Sequence, residues 1–290
     1  MIDTILQRII SKEVPEEECA VLLSGGMDSI SVALTANRLG KKVHAYTFHL
    51  EGEPSYDSEK ARQVASKFGW EIKVVEVPKT NLEEEWLQLW ELFRCEKKTH
   101  FECSYPLLYI FPHIKEKKIL TGLGADGWYG ISKKAILNKK YGVKKSSTRF
   151  DLFRSDHFNS ESIAGHIQMR ELAEYFNKEL VTPYIEHQEI EEFFMSKDWD
   201  ELNRGETIAG SQQKQPVRKA FRPELEKIGK VDPHRGLQKV SKISELFDSI
   251  LENTDVNYLG RQRLMDVCRD WKELREVYQV FDNYLVFQSV

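Results

Sequence analysis

The sequence predicts an α/β fold with a parallel, doubly wound sheet and a largely helical C-terminal half. Within the first 130 residues, short β-rich apolar segments alternate with amphipathic helical segments, which is typical of parallel sheets. Two of the predicted strands run directly into glycine-rich turns, at residues 24–29 and 121–127. Ligands of parallel sheets bind at the carboxyl ends of strands, so we expect both turns to border one site.

The elements of the first half follow from periodicity. Residues 1–18 form a leading helix, since Ile2, Ile5, Leu6, Ile9 and Ile10 recur at helical spacing. After a first strand that begins near Ala20, further strands are predicted at 42–50, 71–77 and 119–121, and helices at 29–39, 55–68, 81–96 and 106–117.

Beyond Gly130 the strand pattern ends. Helices are predicted at 167–176, 188–195, 214–228, 239–253 and 266–282. The chain therefore divides into a leading helix (1–18), an α/β core (19–130) and a helical part of the same domain (131–290).

Composition restricts the class of protein. The chain has 290 residues, 30% of them charged, with a net charge of −4, so the protein as a whole is not expected to bind polyanions. No run of 18 apolar residues and no signal-peptide profile occur, and the four cysteines form no CxxC pair. We therefore expect a reduced, cytoplasmic protein that does not contact membranes.

The first glycine turn has the chemistry of a phosphate site. Gly25 and Gly26 allow backbone N–H groups to crowd around an anion at a helix N-terminus, and Ser24 and Ser29 add hydroxyl donors. Asp28 is a hard oxygen ligand for Mg²⁺. No Gly-Lys-Ser/Thr follows, which excludes the phosphate loop of kinases and GTPases. A tight turn without a ligand is the structural alternative.

This turn resembles the SGGxDS pyrophosphate loop of the ATP pyrophosphatase (PP-loop) superfamily, whose enzymes split ATP between the α and β phosphates. The second segment, Leu120-Thr121-Gly122-Leu123-Gly124-Ala125-Asp126, is similar to the L-[ST]-G-x-G-[AS]-D segment of the asparagine synthetase C-terminal domain and of β-lactam synthetase. The resemblance implies a sheet of the PP-loop (adenine nucleotide alpha hydrolase-like) type. It also implies that Asp28 and Asp126 bind Mg²⁺. A plain β–α turn with Asp126 as a helix cap remains the alternative.

The resemblance also implies the ATP contacts, with adenine near the end of the second strand. The implied nucleotide-binding residues are Leu23, Ser24, Gly25, Gly26, Met27, Asp28, Ser29, Thr47, Phe48, Thr121 and Gly122.

Matches further along the chain are looser. Residues 178–187 resemble the LEVRxPFLDH stretch of asparagine synthetases, although Val181 stands where the family has Arg, and residues 214–221 resemble the following K-x-x-L-R-x-A helix. Lys239, or Lys242 in the alternative register, falls where the family carries a catalytic lysine that neutralises charge at the α-phosphate. For each of them a solvated surface lysine is the competing interpretation.

Three departures from the family concern the nitrogen donor. Ile2 stands where asparagine synthetases have the cysteine of their glutaminase domain, so the nitrogen is expected to be free ammonia, the product of a glutaminase partner, or a substrate amine. Leu123 replaces a Glu or Tyr that helps deprotonate the nucleophile, and leucine accepts no proton. Gly127 replaces the usual Glu after Asp126.

The sequence thus predicts an ATP-dependent ligase that adenylates a small-molecule carboxylate and then forms an amide. A PP-loop enzyme that modifies nucleotides or tRNA, and a non-catalytic ATP-binding subunit that partners a glutaminase, are the alternatives. Residues 133–154 carry an unusual basic excess that fits either an anionic partner such as nucleic acid or, more simply, a solvated loop. Its basic residues are Lys133, Lys134, Lys139, Lys140, Lys144, Lys145, Arg149 and Arg154. The histidines form no recognisable ligand set, and the oligomeric state is not predicted.

Overall fold

A computed structural model describes residues 1–80, 82–96, 98–132, 154–155, 163, 165–232 and 241–246. Its strands are β1 (Glu18–Leu22), β2 (Lys42–Leu50), β3 (Glu71–Val77), β4 (Lys118–Leu120) and β5 (Glu179–Val181). They form one sheet in the order β3-β2-β1-β4-β5, and every neighbouring pair is parallel. The predicted α/β fold with a parallel sheet is therefore confirmed.

Helices cover both faces of the sheet. Those of the first half are α1 (Ile2–Glu13), α2 (Met27–Arg38), α3 (Tyr56–Phe68), α4 (Leu82–Phe93), α5 (Lys98–Ile110) and the short α6 (Ala125–Trp128). Those of the second half are α7 (His166–Tyr175), α8 (Gln188–Met195), α9 (Trp199–Asn203), α10 (Gln215–Ala220) and α11 (Arg222–Ile228). None of the helices in the described part of the chain has the length and apolar character needed to cross a membrane.

Local chemistry explains where α3 begins and ends. The Ser55 side chain accepts a hydrogen bond from the Ser58 N–H while the Ser58 side chain reaches back to the Ser55 N–H, so the two serines form a reciprocal cap. At the other end Gly69 takes a left-handed conformation with φ 67°, which glycine adopts without steric cost. This capped helix brings its N-terminus beside the first glycine turn.

Two hydrophobic clusters lie on opposite faces of the sheet. Along β1, Cys19 and Val21 belong to the cluster under α1, α2 and α8, whereas Ala20 belongs to the cluster under α4, α5 and α7. This alternation is the period of two that a strand imposes. Because β1 is fully covered by both clusters, its carboxyl end is a rigid position for a functional turn.

The second half differs from its prediction, because it contributes a strand. β5 pairs with β4 through Lys118–Glu179, Ile119–Leu180 and Leu120–Val181, so the sheet extends beyond residue 130. A strand of three residues is too short to show an alternating pattern, and only its pairing with β4 identifies it. The segment predicted as one helix at 214–228 is divided at Phe221 into α10 and α11.

The prediction of a helix at 106–117 is also wrong at both ends. The observed helix, α5, begins at Lys98, contains Pro106 and ends at Ile110. Proline is favoured in the first turn of a helix, so the sequence alone is consistent with a helix that begins at Pro106. Packing of the preceding turns outweighs this preference, since Phe101 lies 4.5 Å from the Trp86 ring and 5.0 Å from the Tyr105 ring, centroid to centroid. The helices predicted at 239–253 and 266–282 lie largely or wholly outside the described residues.

Candidate nucleotide site

The first glycine turn is compact and internally bonded. It follows β1 and leads into α2 at Met27. The Ser29 hydroxyl accepts from the Ser24 N–H at 3.2 Å and lies 3.1 Å from the Ser24 hydroxyl. Gly25 has φ 72°, and a Cβ there would lie 2.7 Å from the Lys60 Cβ. The turn therefore needs glycine at this position, and it surrounds the N-terminus of a twelve-residue helix, where anions are favoured.

The second glycine turn packs directly on the first. A Cβ on Gly122 would lie 2.5 Å from the carbonyl carbon of Asp28 and 2.6 Å from the Ser29 nitrogen, so only glycine fits here. Gly124, at φ 89°, is held from the other side by Ile185, which follows β5. The two turns therefore converge at the carboxyl edge of the sheet, as the sequence predicted.

The carboxylates of Asp28 and Asp126 share one cationic partner, Lys214. Its ammonium nitrogen lies 2.5 Å from Asp28 Oδ2 and 2.7 Å from Asp126 Oδ1. The lysine side chain is only 4% exposed. Burial lowers the pKa of Lys214, but the two carboxylates outweigh burial and hold that pKa above its ordinary value. The site therefore contains a buried ammonium held between two carboxylates, and these three residues form a triad.

The segment around Lys214 is fixed by polar contacts to backbone carbonyls. Lys214 has φ 60°, an uncommon conformation for a side-chain-bearing residue, immediately before α10. Arg218, 1% exposed, donates to the carbonyls of Gln213, Ile208 and Val231. Burial lowers the pKa of Arg218 to about 10, which still leaves it charged at neutral pH. Arg218 thus anchors the loop that delivers Lys214.

A cavity of about 250 Å³ lies above both turns. One wall is polar and comprises the two turns, Lys214 and Arg218. The other is largely apolar and is formed by α5 and α7 together with Leu123. The apolar residues of that wall are Cys103, Pro106, Leu107, Ile110, Leu123 and Met169. A ligand with a charged group and an apolar or aromatic group matches these two walls.

Every nucleotide-binding residue and metal ligand predicted from the sequence borders this cavity. The residues concerned are Leu23, Ser24, Gly25, Gly26, Met27, Asp28, Ser29, Thr47, Phe48, Thr121, Gly122 and Asp126. Thr47 and Phe48 reach it from the end of β2, on the opposite side from Asp126. Their roles as ligands remain predictions, but the structure brings all of them together.

Of the two predicted catalytic lysines, only Lys242 can be compared with the triad, and it is not a member. Lys239 lies outside the described residues. The Lys242 ammonium lies 2.6 Å from Glu53 Oε2, in the loop after β2, where Lys79 also contacts the same carboxylate. Hydrogen bonds from Lys242 and Lys79 lower the pKa of Glu53 to about 2. Only Ser241, the neighbour of Lys242, borders the cavity.

Sequence reasoning did not assign a role to Lys214, although a signal for it existed. The stretch 214–221 resembled a family helix that begins with lysine and carries arginine four positions later, and these are Lys214 and Arg218. In the basic segment, residues 133–153 lie outside the described part of the chain. Arg154 is 2% exposed and donates to the carbonyls of Phe194 and Lys197, so this member of the basic segment supports the fold.

Comparison with known proteins identifies the family of this chain. No curated protein matches the sequence. A predicted subunit of a tRNA methyltransferase from Methanocaldococcus jannaschii is 18% identical, with a TM-score of 0.31, and the match covers 75% of this chain and 93% of that one. The U34-tRNA thiolase NcsA from Methanococcus maripaludis, solved with its [4Fe-4S] cluster, is 14% identical with a TM-score of 0.35, covering 94% of this chain and 78% of that one.

These structural similarities are too low to carry an argument about function. The sequence profile of the asparagine synthase family, by contrast, matches residues 6–235. That range contains both glycine turns, Lys214 and Arg218, together with all five strands. The chain therefore belongs to the asparagine synthase family, within the PP-loop group of ATP-using proteins.

Proposed function

We propose that this protein adenylates a small-molecule carboxylate with ATP, releasing pyrophosphate, and then forms an amide with ammonia or an amine. The observation that carries the proposal is the contact of Gly122 with the backbone of Asp28 and Ser29. This contact brings two phosphate-type turns and two carboxylates to one end of one cavity. Such an arrangement suits a triphosphate much better than a ligand without phosphate groups.

The residues of the site fit a magnesium–nucleotide ligand. Asp28 and Asp126 both contact one ammonium, so their carboxylates are close enough to share a cation. Glycine at positions 25 and 122 leaves backbone within reach of a ligand where a Cβ would clash. We assign Mg²⁺ to Asp28 and Asp126; when bound, Mg²⁺ neutralises phosphate charge.

In this proposal the first turn holds the β and γ phosphates through backbone N–H groups and the Ser24 and Ser29 hydroxyls. A substrate carboxylate oxygen forms a bond to the α-phosphorus, the bond to the bridging oxygen breaks, and pyrophosphate leaves. Lys214 donates to oxygens that gain negative charge in this step. The protein mainly positions reactants and stabilises charge, since phosphoryl transfer needs little covalent help.

In the second step the nitrogen nucleophile bonds to the acyl carbon, AMP leaves with the bonding electrons, and the nitrogen loses a proton. Leu123 borders the cavity where relatives carry a residue that assists deprotonation, and its side chain accepts no proton. We therefore propose a nitrogen donor that reaches the site as a neutral amine or as ammonia. A glutaminase partner is one source of that ammonia.

The test is isotope exchange between pyrophosphate and ATP. Purified protein, MgATP and labelled pyrophosphate are mixed with a panel of carboxylic acids, and label in ATP is measured. We expect exchange that depends on one class of acid and falls by about 100-fold in Asp28→Asn. Asp200→Asn, an exposed aspartate on α9 with 58% side-chain exposure, is the matched control and should keep full exchange.

The alternatives predict other results when AMP formation is also measured and a parallel reaction contains added tRNA. A non-catalytic ATP-binding subunit retains ATP unchanged with every acid. An enzyme that modifies tRNA shows AMP formation that requires RNA and no acid. Either outcome would contradict the proposed reaction. Dependence of AMP formation on RNA distinguishes the tRNA-modifying enzyme from the non-catalytic subunit.

A further inference from the structure

Four titratable side chains meet at the amino-terminal edge of the sheet, at the opposite end of the strands from the nucleotide cavity. Glu18 and Glu71 are the first residues of β1 and β3, His44 lies near the start of β2, and Glu116 lies just before β4. In the strand register His44 stands beside Glu71, and Lys42 beside Glu18. This cluster has no part in the proposed adenylation.

The imidazole of His44 lies between carboxylates on both of its nitrogens. Nε2 is 3.6 Å from Glu18 Oε2, while Nδ1 is 3.4 Å from both Glu71 Oε2 and Glu116 Oε1. One ligand atom from each of Glu18, His44 and Glu116 lies within 4.8 Å of the others. Histidine nitrogen with carboxylate oxygen is a common ligand set for divalent transition metals.

The separations themselves resemble those within a metal site. Charge-assisted hydrogen bonds between such groups measure about 2.7–2.9 Å. Two ligands of a tetrahedral ion with bonds of about 2.1 Å are separated by about 3.4 Å. The 3.4 Å from His44 Nδ1 to Glu116 Oε1 matches the second arrangement, and a Glu18 oxygen lies within 4.8 Å of the other two ligand atoms. His44 Nε2 is also buried without a hydrogen-bond partner among the described residues.

Glu116 is the most buried carboxylate of this set. Its side chain is only 7% exposed, and Tyr46 donates a hydrogen bond of 2.9 Å to its Oε2. That bond leaves Oε1 directed at His44. A second residue that orients a ligand in this way is a recurrent feature of metal sites.

We propose that Glu18, His44 and Glu116 bind a divalent transition-metal ion, with Glu71 available as a further carboxylate. The ion would join the starts of β1 and β2 to the segment that enters β4. The positive charge of the ion would balance the three carboxylates of this cluster. Among the described residues, Lys42 lies 3.2 Å from Glu18 and supplies a further positive charge. The nitrogen ligand favours zinc or cobalt over magnesium or calcium.

The test is titration of the full-length protein with Co²⁺, followed by visible absorption and calorimetry, with excess Mg²⁺ present to compete at Asp28 and Asp126. We expect one Co²⁺ per chain with the intense bands of a tetrahedral ion. His44→Asn and Glu18→Gln should each weaken binding at least about tenfold. Asp28→Asn is the matched control for the other candidate site and should bind Co²⁺ like the natural sequence.

Glu18 is 54% exposed, so its substitution tests the ligand without disturbing the core. Thermal unfolding gives a second readout: Co²⁺ or Zn²⁺ should raise the Tm of the natural protein and of Asp28→Asn but not that of His44→Asn. Equal Co²⁺ binding in His44→Asn, loss of binding in Asp28→Asn, or no binding at millimolar Co²⁺ would each overturn the proposal. In the last case His44 simply packs among the carboxylates.

Discussion

At the scale of single residues, the Lys214 ammonium occupies the position between two carboxylates that a bridging cation would otherwise take. Within the triad the Lys214 side chain is buried, with 4% of its surface exposed, whereas the Asp126 side chain is 26% exposed. Without the lysine, two negative charges would lie close together in a partly buried site. The same ammonium is also well placed to contact phosphate once the carboxylates bind Mg²⁺.

Replacing Lys214 tests this interpretation. We expect Lys214→Met to lower the free energy of unfolding by about 2–3 kcal/mol, less than for a fully buried pair because Asp126 is partly exposed. Mg²⁺ without nucleotide should then stabilise the variant more than the natural protein, since the position between the carboxylates is vacated. Urea unfolding with and without Mg²⁺ measures both effects. Lys219→Met, at an exposed lysine on the same helix, is the control; equal Mg²⁺ effects in the two variants would refute the prediction.

His166 gives a prediction about pH. Burial lowers the pKa of His166 to about 4, and the ring lies 3.3 Å from the Thr182 hydroxyl beside β5. An unfolded histidine titrates near pH 6.5, so the unfolded chain takes up the proton first as the pH falls. This stability is fully present above about pH 6.5 and is lost between there and pH 4, by up to about 3 kcal/mol.

The measurement compares urea unfolding of the natural protein and His166→Gln from pH 7 to pH 4. The difference between the two curves isolates His166 from other titrating groups, and the variant should show the shallower decline. His113→Gln, at an exposed histidine, should decline like the natural protein. Parallel curves for His166→Gln and the natural protein would show that the histidine titrates equally in both states.

At the scale of elements, the two strand-to-helix turns depend on direct backbone contact. An added methyl group at Gly122 would lie 2.5–2.6 Å from backbone atoms of Asp28 and Ser29, and backbone cannot move aside as a flexible side chain does. The carboxyl ends of β1 and β4 are adjacent because the two strands pair directly. The geometry of the site therefore depends on the distance between β1 and β4.

We expect Gly122→Ala to separate the turns and to lower pyrophosphate–ATP exchange by about 100-fold. Gly69→Ala is the matched control, since it has φ 67° and no atom within 4 Å of the added Cβ. It should cost only about 1 kcal/mol of backbone strain and keep exchange. Exchange rates and Tm values for the two variants distinguish the effects. Full exchange in Gly122→Ala would show that the turns do not act together.

At the scale of the whole molecule, the α/β core and the later helical segment share one hydrophobic core. Residues after 130 supply β5, the Lys214 ammonium and part of the main core. The core residues from this segment include Tyr184, Ile190, Phe194, Leu202, Val217 and Phe221. The boundary suggested near residue 130 therefore separates sequence patterns rather than units with independent cores.

A fragment of residues 1–130 should consequently lack a cooperative unfolding transition, because β4 loses β5, one of its two partner strands, and the core loses these side chains. Circular dichroism during urea titration of the fragment and of the full chain checks this. A sharp transition in the fragment would show that the first segment folds alone.

The sequence was sufficient for features that depend on local pattern. Alternating strand and helix periodicity predicted the parallel sheet, and β2 and β3 have the predicted bounds. The two glycine-rich turns, with the family resemblance that they carry, predicted which of their own residues border the cavity. Such features are encoded within about ten consecutive residues, so no distant contact is needed to recognise them.

Only the tertiary structure decided the features that join distant segments. The contact of Lys214 with Asp28 spans 186 positions, β5 is recognisable only by its pairing with β4, and Glu18, His44 and Glu116 approach one another only because their strands start at one edge. Periodicity carries no information about which lysine reaches a buried carboxylate. That choice depends on how the helices after β5 pack back onto the sheet, which is the result of the whole core forming at once.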